Sequence, residues 1–395
     1  MIFDNQLRYA TQIIETYRGD EPLHAWLKDY FRLNKQMGSR DRKMLSTLVY
    51  SYYRLGHAVK NLRPKDRLLA GLFLCNEQPG ELLTYFKPHW AEKAGGALPE
   101  KIAFFQGQPE GHDFRPADIF PWKDELSSGI DHETFCLSFL RQPDLFLRIR
   151  PGYETAVREK LAGAGIGIGA GPGEFEFIPP AALRLPNGFN VETCFTPDKE
   201  VVVQDYSSQR VADFLKPAKA PQFFWDACAA CGGKSILTYD LYPQIDILVS
   251  DIRASILQNL KTRFQTAGIK KYNSFLADLS KQQPPASAAN AELILMDVPC
   301  TGSGTWSRTP EELYFFDPAS IDRYSILQKK IMAHIAPHVA PDATLVYCTC
   351  SVFKKENEET IAYIRDTSRL KIQNAENLKG YDQRADTLFV ARFGH

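Results

Sequence analysis

The hydrophobic pattern changes character along the chain. In "LRYATQIIETY" and "DRKMLSTLVYSYYRLGHAV" apolar residues recur three and four positions apart, the spacing that lines one face of a helix. Residues 1 to about 75 are therefore expected to be helical. Residues 76–130 carry scattered Pro and Gly and predict short helices and loops. After that the alternation shortens. "DLFLRIRPG" reads as a strand, "YETAVREKLAGAGI" as a helix ending in glycine, and "AALRLPNGFNVETCF" and "EVVVQD" as strands and turns. These predict a small α+β unit over residues 131–205. Its "GAGIGIGAGPGE" lacks the spacing of a phosphate cradle and reads as a flexible connection.

From residue 206 helix and strand alternate. The strands are "QFFWDAC", "IDILVSDI", "NSFLADL", "AELILMDVPC" and "ATLVYCTC". Between and around them lie the helices "SSQRVADFL", "SILTYDLY", "ASILQNLKTRFQTAG", "SIDRYSILQKKIMAHIAPHV" and "ENEETIAYIRDT", and two strands near "LKIQNAE" and "TLFVARF" finish the chain. Such alternation predicts an α/β fold with a mostly parallel, doubly wound sheet. Three domains are expected: a helical one over 1–130, the α+β unit over 131–205, and the doubly wound one over 206–395.

Charge changes this picture little. Lys plus Arg and Asp plus Glu number 47 each, so the balance argues against a non-specific polyanion binder while leaving room for a local basic face. "RLNKQMGSRDRK" and "KNLRPKDR" are the candidates for meeting phosphates, with a solvated helix end as the alternative. The start lacks a basic segment followed by an apolar core, and no apolar run is long enough to span a bilayer. A reducing cytoplasm, with the eight cysteines as thiols, is the expectation. Oligomerisation leaves no mark, and a monomer is expected.

The chemistry should lie beyond the carboxyl ends of the strands. After the first comes "DACAACGGKS", where Gly232 and Gly233 permit a tight turn and the next helix N-terminus, with Lys234, offers a positive end. A nucleotide P-loop would need glycine at Cys228, and G-x-G-x-x-G is absent. Asp251 ends the second strand, where an acid can accept from both ribose hydroxyls. Asp278 follows the third, where a carboxylate can meet an adenine amino group. Each acid alone could equally be a cap or a surface charge. Together, in order after a glycine turn, they suggest a nucleoside with a small charged tail, S-adenosylmethionine. Asp297, Pro299 and Cys300 end the fourth strand and "YCTCS" the fifth. Neighbouring strand ends share one crevice, so Cys300 and one of Cys348 or Cys350 should meet there. If the strand ends near Cys348, Cys350 is free to face the pocket. Cys228 and Cys231, with Cys348 and Cys350, form the rival reading as a zinc site. A non-catalytic RNA-binding module is a second rival.

These stretches together resemble the Nol/Nop/Sun family of RNA cytosine-C5 methyltransferases. "DACAACGGKS" is similar to the family's D-x-C-A-A-P-G-G-K-T, "DVPCTGSG" to D-P-P-C-S-G-x-G, and "YCTCSVFKKENEE" to Y-S-T-C-S with E-N-E downstream. "VQDYSSQRVADFL" looks like the entry helix, and the resemblance runs over roughly residues 140–395. The chain departs from the pattern at Cys231, Val298 and Cys348. The first 130 residues, through "GSRDRKMLSTLVYSYYRL", look like the helical NusB-like RNA-binding domain of bacterial 16S rRNA methyltransferases of the RsmB type.

The resemblance implies a Rossmann-like S-adenosylmethionine-dependent catalytic domain and an RNA substrate, with ribosomal RNA favoured over transfer RNA. It implies Cys350 as nucleophile at cytosine carbon 6, Asp297 holding the ring near N3, and Cys300 taking part in release. It implies cofactor contacts from Asp226, Cys228, Ala229, Ala230, Gly232, Gly233, Lys234, Asp251, Arg253, Asp278 and Asp297. Trp306 or Tyr314 is a candidate to stack on a base, although core packing is the better expectation for a lone aromatic.

Overall fold

The computed structural model describes residues 2–163 and 175–395. The chain divides into two compact units. The glycine-rich connection expected at 163–174 falls, beyond Gly163, outside the described residues.

The first unit contains residues up to Asp124, together with Asp131–Gln142 and Thr305–Asp317. Its helices include Ile2–Thr16, Leu23–Leu33, Ser39–Arg54, Pro64–Cys75 and Leu98–Gln106. The i, i+3, i+4 pattern buries Leu7, Ala10 and Ile13 of the first and Leu45, Leu48, Val49 and Tyr52 of the third. Ser39–Arg54 and Pro64–Cys75 approach closely at Gly71, where a Cβ would lie 2.4 Å from the Ser51 carbonyl oxygen. The helices His132–Ser138 and Pro310–Phe315 also belong to this unit, so its boundaries are discontinuous in sequence. Trp306 is buried among Phe120, Trp122 and Phe316 and serves as core. Tyr314 packs on Tyr52 and Tyr53 with Lys60 over its ring.

The basic segment at residues 60–67 is corrected in part. Arg67 is fully buried and donates to the carbonyls of Ala58, Tyr52 and Gly56. Its guanidinium ties the turn after one helix to the start of the next, because three buried carbonyls need donors. Lys35, Arg40 and Lys43 are exposed.

The second unit holds Glu125–Ile130, Pro143–Gly304 and Pro318–His395. A small antiparallel sheet is built from β1 (Leu145–Ile149), β2 (Glu176–Ile178), β3 (Ala182–Leu185) and β4 (Val201–Val203), in the order β2-β3-β1-β4. Arg148 and Arg150 of this sheet converge on the buried Asp240 carboxylate at 2.5 and 2.7 Å, which fixes it to the helix Gly233–Leu241.

The larger sheet comprises β5 (Phe223–Asp226), β6 (Asp246–Asp251), β7 (Tyr272–Leu276), β8 (Leu293–Asp297), β9 (Thr344–Thr349), β10 (Lys371–Leu378) and β11 (Leu388–Gly394). Its order is β10-β11-β9-β8-β5-β6-β7. The five strands β5 to β9 are parallel, and β10 and β11 close the edge antiparallel. This is the expected Rossmann-like, doubly wound α/β arrangement. The parallel strands are covered on both faces, so β8 and β9 read as continuous apolar runs. Strand order reverses at β5, with β6 on one side and β8 on the other, and the crevice outside that switch point is the place for a ligand.

Candidate active site

Each central strand ends on a polar group as the chain leaves the apolar layer. Asp226, Asp251 and Asp297 are the last residues of β5, β6 and β8. Parallel register sets Asp297 opposite Cys348. β9 ends at Thr349, so Cys348 lies buried in the core while Cys350, one residue past the strand, is half-buried against that core and lines the cavity. A cavity of about 490 Å³ opens at these ends. Its lining includes Cys228, Ala230, Asp251, Arg253, Asp278, Asp297, Cys300 and Cys350.

The two cysteines touch, with Cys300 Sγ 3.3 Å from Cys350 Sγ. The contact with Cys350 first, and burial second, push the Cys300 thiol well above its ordinary pKa. Cys300 therefore keeps its proton and can donate it across the contact. Lys234 Nζ lies 2.7 Å from Asp297 Oδ2. Burial disfavours the ammonium, but the adjacent Asp297 charge outweighs it and the Lys234 pKa is raised.

The turn after β5 is set by backbone geometry. Gly232 has φ +79°, and a Cβ there would lie 2.9 Å from Phe264, so glycine is required on both counts. Ala229 N–H donates to the Ser250 carbonyl and Gly232 N–H to the Ala229 carbonyl. Gly233 opens the helix Gly233–Leu241. Asp226 is buried beneath this turn and accepts Ser235 Oγ at 2.6 Å. Its Oδ1 has no hydrogen-bond partner among the described residues. Burial, reinforced by the Asp297 charge, pushes its pKa from 3.8 to about 7.

Asp251 is held from below: Oδ2 accepts Ala230 N–H at 3.0 Å, and Oδ1 accepts Arg253 N–H at 2.9 Å and Nε at 3.1 Å. Arg253 Nη2 also donates to Oδ2 at 3.4 Å, so four donors engage the roughly four acceptor positions of the two oxygens, two of them from the exposed Arg253 guanidinium. Asp278 accepts Ser280 N–H and Oγ on one oxygen and pairs with Lys281 on the other. Those hydrogen bonds, Ser280 first, hold its pKa below the usual carboxylate value. Of the sequence-predicted residues, Asp226, Ala229, Gly232, Gly233 and Lys234 support the cavity rather than line it.

Cys228 also faces the cavity, and burial raises its thiol pKa. Cys231 is exposed at the turn and Cys348 is in the core. Among the described residues, no three His, Cys, Asp or Glu side chains are grouped so as to hold a metal, which leaves the four-thiolate reading without a geometry. All eight cysteines are free thiols. No helix of the described residues is long and apolar enough to cross a membrane.

Sequence reasoning missed several groups. Leu327 and Ile331 line one apolar wall; they stand four apart on the helix Ala319–Ile335 and share a face. Ser235, in "GGKS", carries no local sequence sign of the hydrogen bond that it donates to Asp226. Glu356 and Asn357, predicted to be helical, precede the helix Glu358–Thr367 and are fully buried. Their side chains turn inward to hydrogen-bond the strand-end loops.

Residues 212–390 match the model of the 16S rRNA methyltransferase RsmB/F family. A ribosomal RNA small subunit methyltransferase B from Proteus mirabilis is 31% identical over 185 residues, which is 46% of this chain and 41% of that protein. The chain thus matches less than half the length of this relative. Among solved structures, PH0851 superposes with a TM-score of 0.68 at 19% identity, covering 98% of this chain and 97% of its own. NSun6 from Pyrococcus horikoshii, solved with SFG, gives a TM-score of 0.52 at 14% identity over 64% of this chain and 91% of its own. At such identities the two structures speak for the fold alone. The matched sequence runs from just before β5 through both cysteine motifs, so the similarity of residues 212–390 to the RsmB/F family includes the strand ends that line the cavity.

Proposed function

We propose that this chain is an S-adenosylmethionine-dependent RNA (cytosine-C5) methyltransferase acting on small-subunit ribosomal RNA. The observation that carries the reading is the 3.3 Å contact of Cys300 and Cys350 in one cavity with Asp297. A single nucleophile would not need a second thiol at that distance. The relative's printed name supplies the RNA class.

Carbon 5 of cytosine is a weak nucleophile. Cys350 overcomes this by forming a bond from its sulfur to carbon 6, and the electrons of the 5,6 double bond become enamine-like. Asp297 faces N3 and favours the protonated adduct, while Lys234 holds its carboxylate in place. S-adenosylmethionine, when bound, supplies a methyl group on a sulfonium. Once carbon 5 carries that methyl, its proton leaves to a base, the carbon 6–sulfur bond breaks, and the double bond re-forms. The electron pair returns to Cys350, where the Cys300 thiol hydrogen-bonds the departing sulfur. The net change on the base is a methyl for a hydrogen, with one proton released.

The cavity suits that cofactor. Asp251 would take the ribose hydroxyls, with Arg253 N–H orienting its carboxylate, and Asp278, which lines the same cavity, would meet the adenine amino group. The turn of Cys228, Ala229, Ala230, Gly232 and Gly233, with Asp226 and Lys234, would hold the methionine end. The unpartnered, buried Asp226 Oδ1 supports a cationic or donor group there. The solved relative bound to SFG, an S-adenosylmethionine analogue, agrees in fold. The target base must leave its stack to reach Cys350. The exposed Lys35, Arg40 and Lys43 are the phosphate contacts of this reading, and the helical unit and the small sheet are its RNA-holding parts.

The test is methyl transfer from radiolabelled S-adenosylmethionine to undermethylated RNA, with Cys300→Ala and Cys350→Ala alongside. Label in cytosine of small-subunit rRNA is expected, lost with Cys350→Ala, and a covalent RNA adduct should accumulate with Cys300→Ala. A Cys350→Ala protein that methylates at the wild-type rate would overturn the reading.

A further inference from the structure

Glu356 lies just ahead of the helix Glu358–Thr367 and has no exposed surface. Its one carboxylate gathers donors from both cysteine loops. Oε1 accepts Thr301 Oγ1 at 2.6 Å and Ser351 Oγ at 2.5 Å. Oε2 accepts the Thr301 backbone N–H at 2.9 Å and Gln328 Nε2 at 3.0 Å. Thr301 directly follows Cys300, and Ser351 directly follows Cys350. Gln328 Nε2 also donates to the Pro299 carbonyl at 3.1 Å, so the residues on both sides of Cys300 are held.

The surrounding bonds close the same unit. Ser303 Oγ lies 3.2 Å from Ser351 Oγ and accepts Val352 N–H at 2.9 Å. Gly304 N–H donates to the Cys350 carbonyl at 2.8 Å. Asn357 Oδ1 accepts Thr349 Oγ1 at 2.6 Å, and its Nδ2 donates to the Ser351 carbonyl at 2.9 Å. A buried carboxylate is costly unless its lone pairs are satisfied, and four donors satisfy this one. An apolar residue would fill the space without that cost. It could not, however, fix two loops that come from strands about 50 residues apart in sequence.

We infer that Glu356 is a positioning residue that sets the spacing of Cys300 and Cys350, an assignment whose catalytic meaning rests on the methyltransferase reading. It makes no hydrogen bond to either sulfur among the described residues, although its charge adds to the rise of the Cys300 pKa. It acts through Thr301 and Ser351, and the 3.3 Å sulfur contact is its product. Burial raises the Glu356 pKa while the Ser351 and Thr301 donors pull it back, consistent with a carboxylate chosen for its acceptors.

The experiment compares the full chain with Glu356→Ala, Glu356→Gln and Thr301→Val. It reads turnover and KM on undermethylated small-subunit rRNA, and the dissociation constant of S-adenosylmethionine. It also reads the rate at which diamide joins Cys300 to Cys350, located by peptide mass. In that reaction the two thiols lose two hydrogens and diamide is reduced to its hydrazine. Glu356→Ala should lower turnover about a hundredfold with KM and cofactor affinity nearly unchanged, and slow the disulfide about tenfold. Glu356→Gln, which keeps one acceptor and the shape, should recover part of both. A wild-type diamide rate in folded Glu356→Ala overturns the assignment, as does a turnover loss that only tracks the unfolded fraction. If Glu356→Ala does not fold, Thr301→Val is read instead, and a wild-type diamide rate there overturns it equally. A wild-type protein that methylates no RNA sinks the methyltransferase reading, while the diamide rates still decide the positioning.

Discussion

Lys234 Nζ sits 2.7 Å from Asp297 Oδ2, so the glycine turn after β5 is tied directly to the last residue of β8. Side-chain exposure of the two is 14% and 28%, low enough that neither charge is well solvated. Removing one partner strands the other, which costs about 3 kcal/mol for a buried pair. Lys234→Met is expected to lower the unfolding free energy by that order. Asp297→Asn in the same chain should restore part of it, because the stranded charge is gone. Urea unfolding of the two single variants and the double one checks this. Additive losses would mean that the pair is not coupled.

Asp251 combines two roles. Its oxygens accept Ala230 N–H and Arg253 N–H, and the proposed ribose contact takes the positions that the exposed Arg253 guanidinium fills here. Asp251→Ala should weaken S-adenosylmethionine binding by roughly 1–3 kcal/mol, and it should also destabilise the chain, since buried donors lose their acceptor. Arg253→Ala should do little to stability, because that side chain is 57% exposed. Calorimetric titration beside thermal melts separates the two effects. An unchanged dissociation constant in Asp251→Ala removes this acid from the site.

Asp226 gives a pH dependence whose sign is fixed by burial. Its pKa rises from 3.8 to about 7 on folding, so within that window the folded chain holds a proton that the unfolded chain has lost. Stability from this group is therefore full below pH ~4, falls as pH rises, and is gone above pH ~7. The total is of the order of 4 kcal/mol. Asp226→Asn, neutral throughout, should gain on the wild type across that window and then hold a constant difference. Urea midpoints at about pH 4, 6 and 8 measure it. A difference that stays flat with pH would show that Asp226 is ionised in the folded chain.

Much of this was legible in the sequence, for a physical reason. Parallel strands covered on both faces must be apolar throughout, so β8 and β9 announce themselves, and the first charge after such a run marks the strand mouth. Asp251 and Asp297 are legible in that way, whereas Asp226 enters only through the resemblance of "DACAACGGKS". The side of Cys350 depended on where β9 stops, a boundary at Thr349 that alternation alone could not set. The rest was hidden because its partners are remote. Asn357 donates to Ser127, 230 positions away, and Arg67 is consumed by carbonyls of a turn; both look like surface residues in sequence. The helix Pro310–Phe315 shows no local sign that it belongs with the N-terminal helices.

Gly304 marks the tightest point beside the cysteines. A Cβ there would lie 1.9 Å from the Thr387 carbonyl oxygen and 3.0 Å from that of Cys350. Both neighbours are backbone, which cannot swing aside as a side-chain tip can. Gly304 N–H also donates to the Cys350 carbonyl, and Thr387 N–H to the Gly304 carbonyl, so relief of the clash must pull the Cys350 loop or β11 out of place. Gly304→Ala is therefore expected to cost at least about 1–3 kcal/mol of stability. It should reduce methyl transfer about a hundredfold while leaving S-adenosylmethionine affinity near the wild-type value, since the acids proposed to hold the cofactor's nucleoside lie on β6 and beyond β7. Melting temperature, dissociation constant and turnover of the one variant test all three. Wild-type turnover in a protein of wild-type stability would mean that the two loops yield more than their hydrogen bonds suggest.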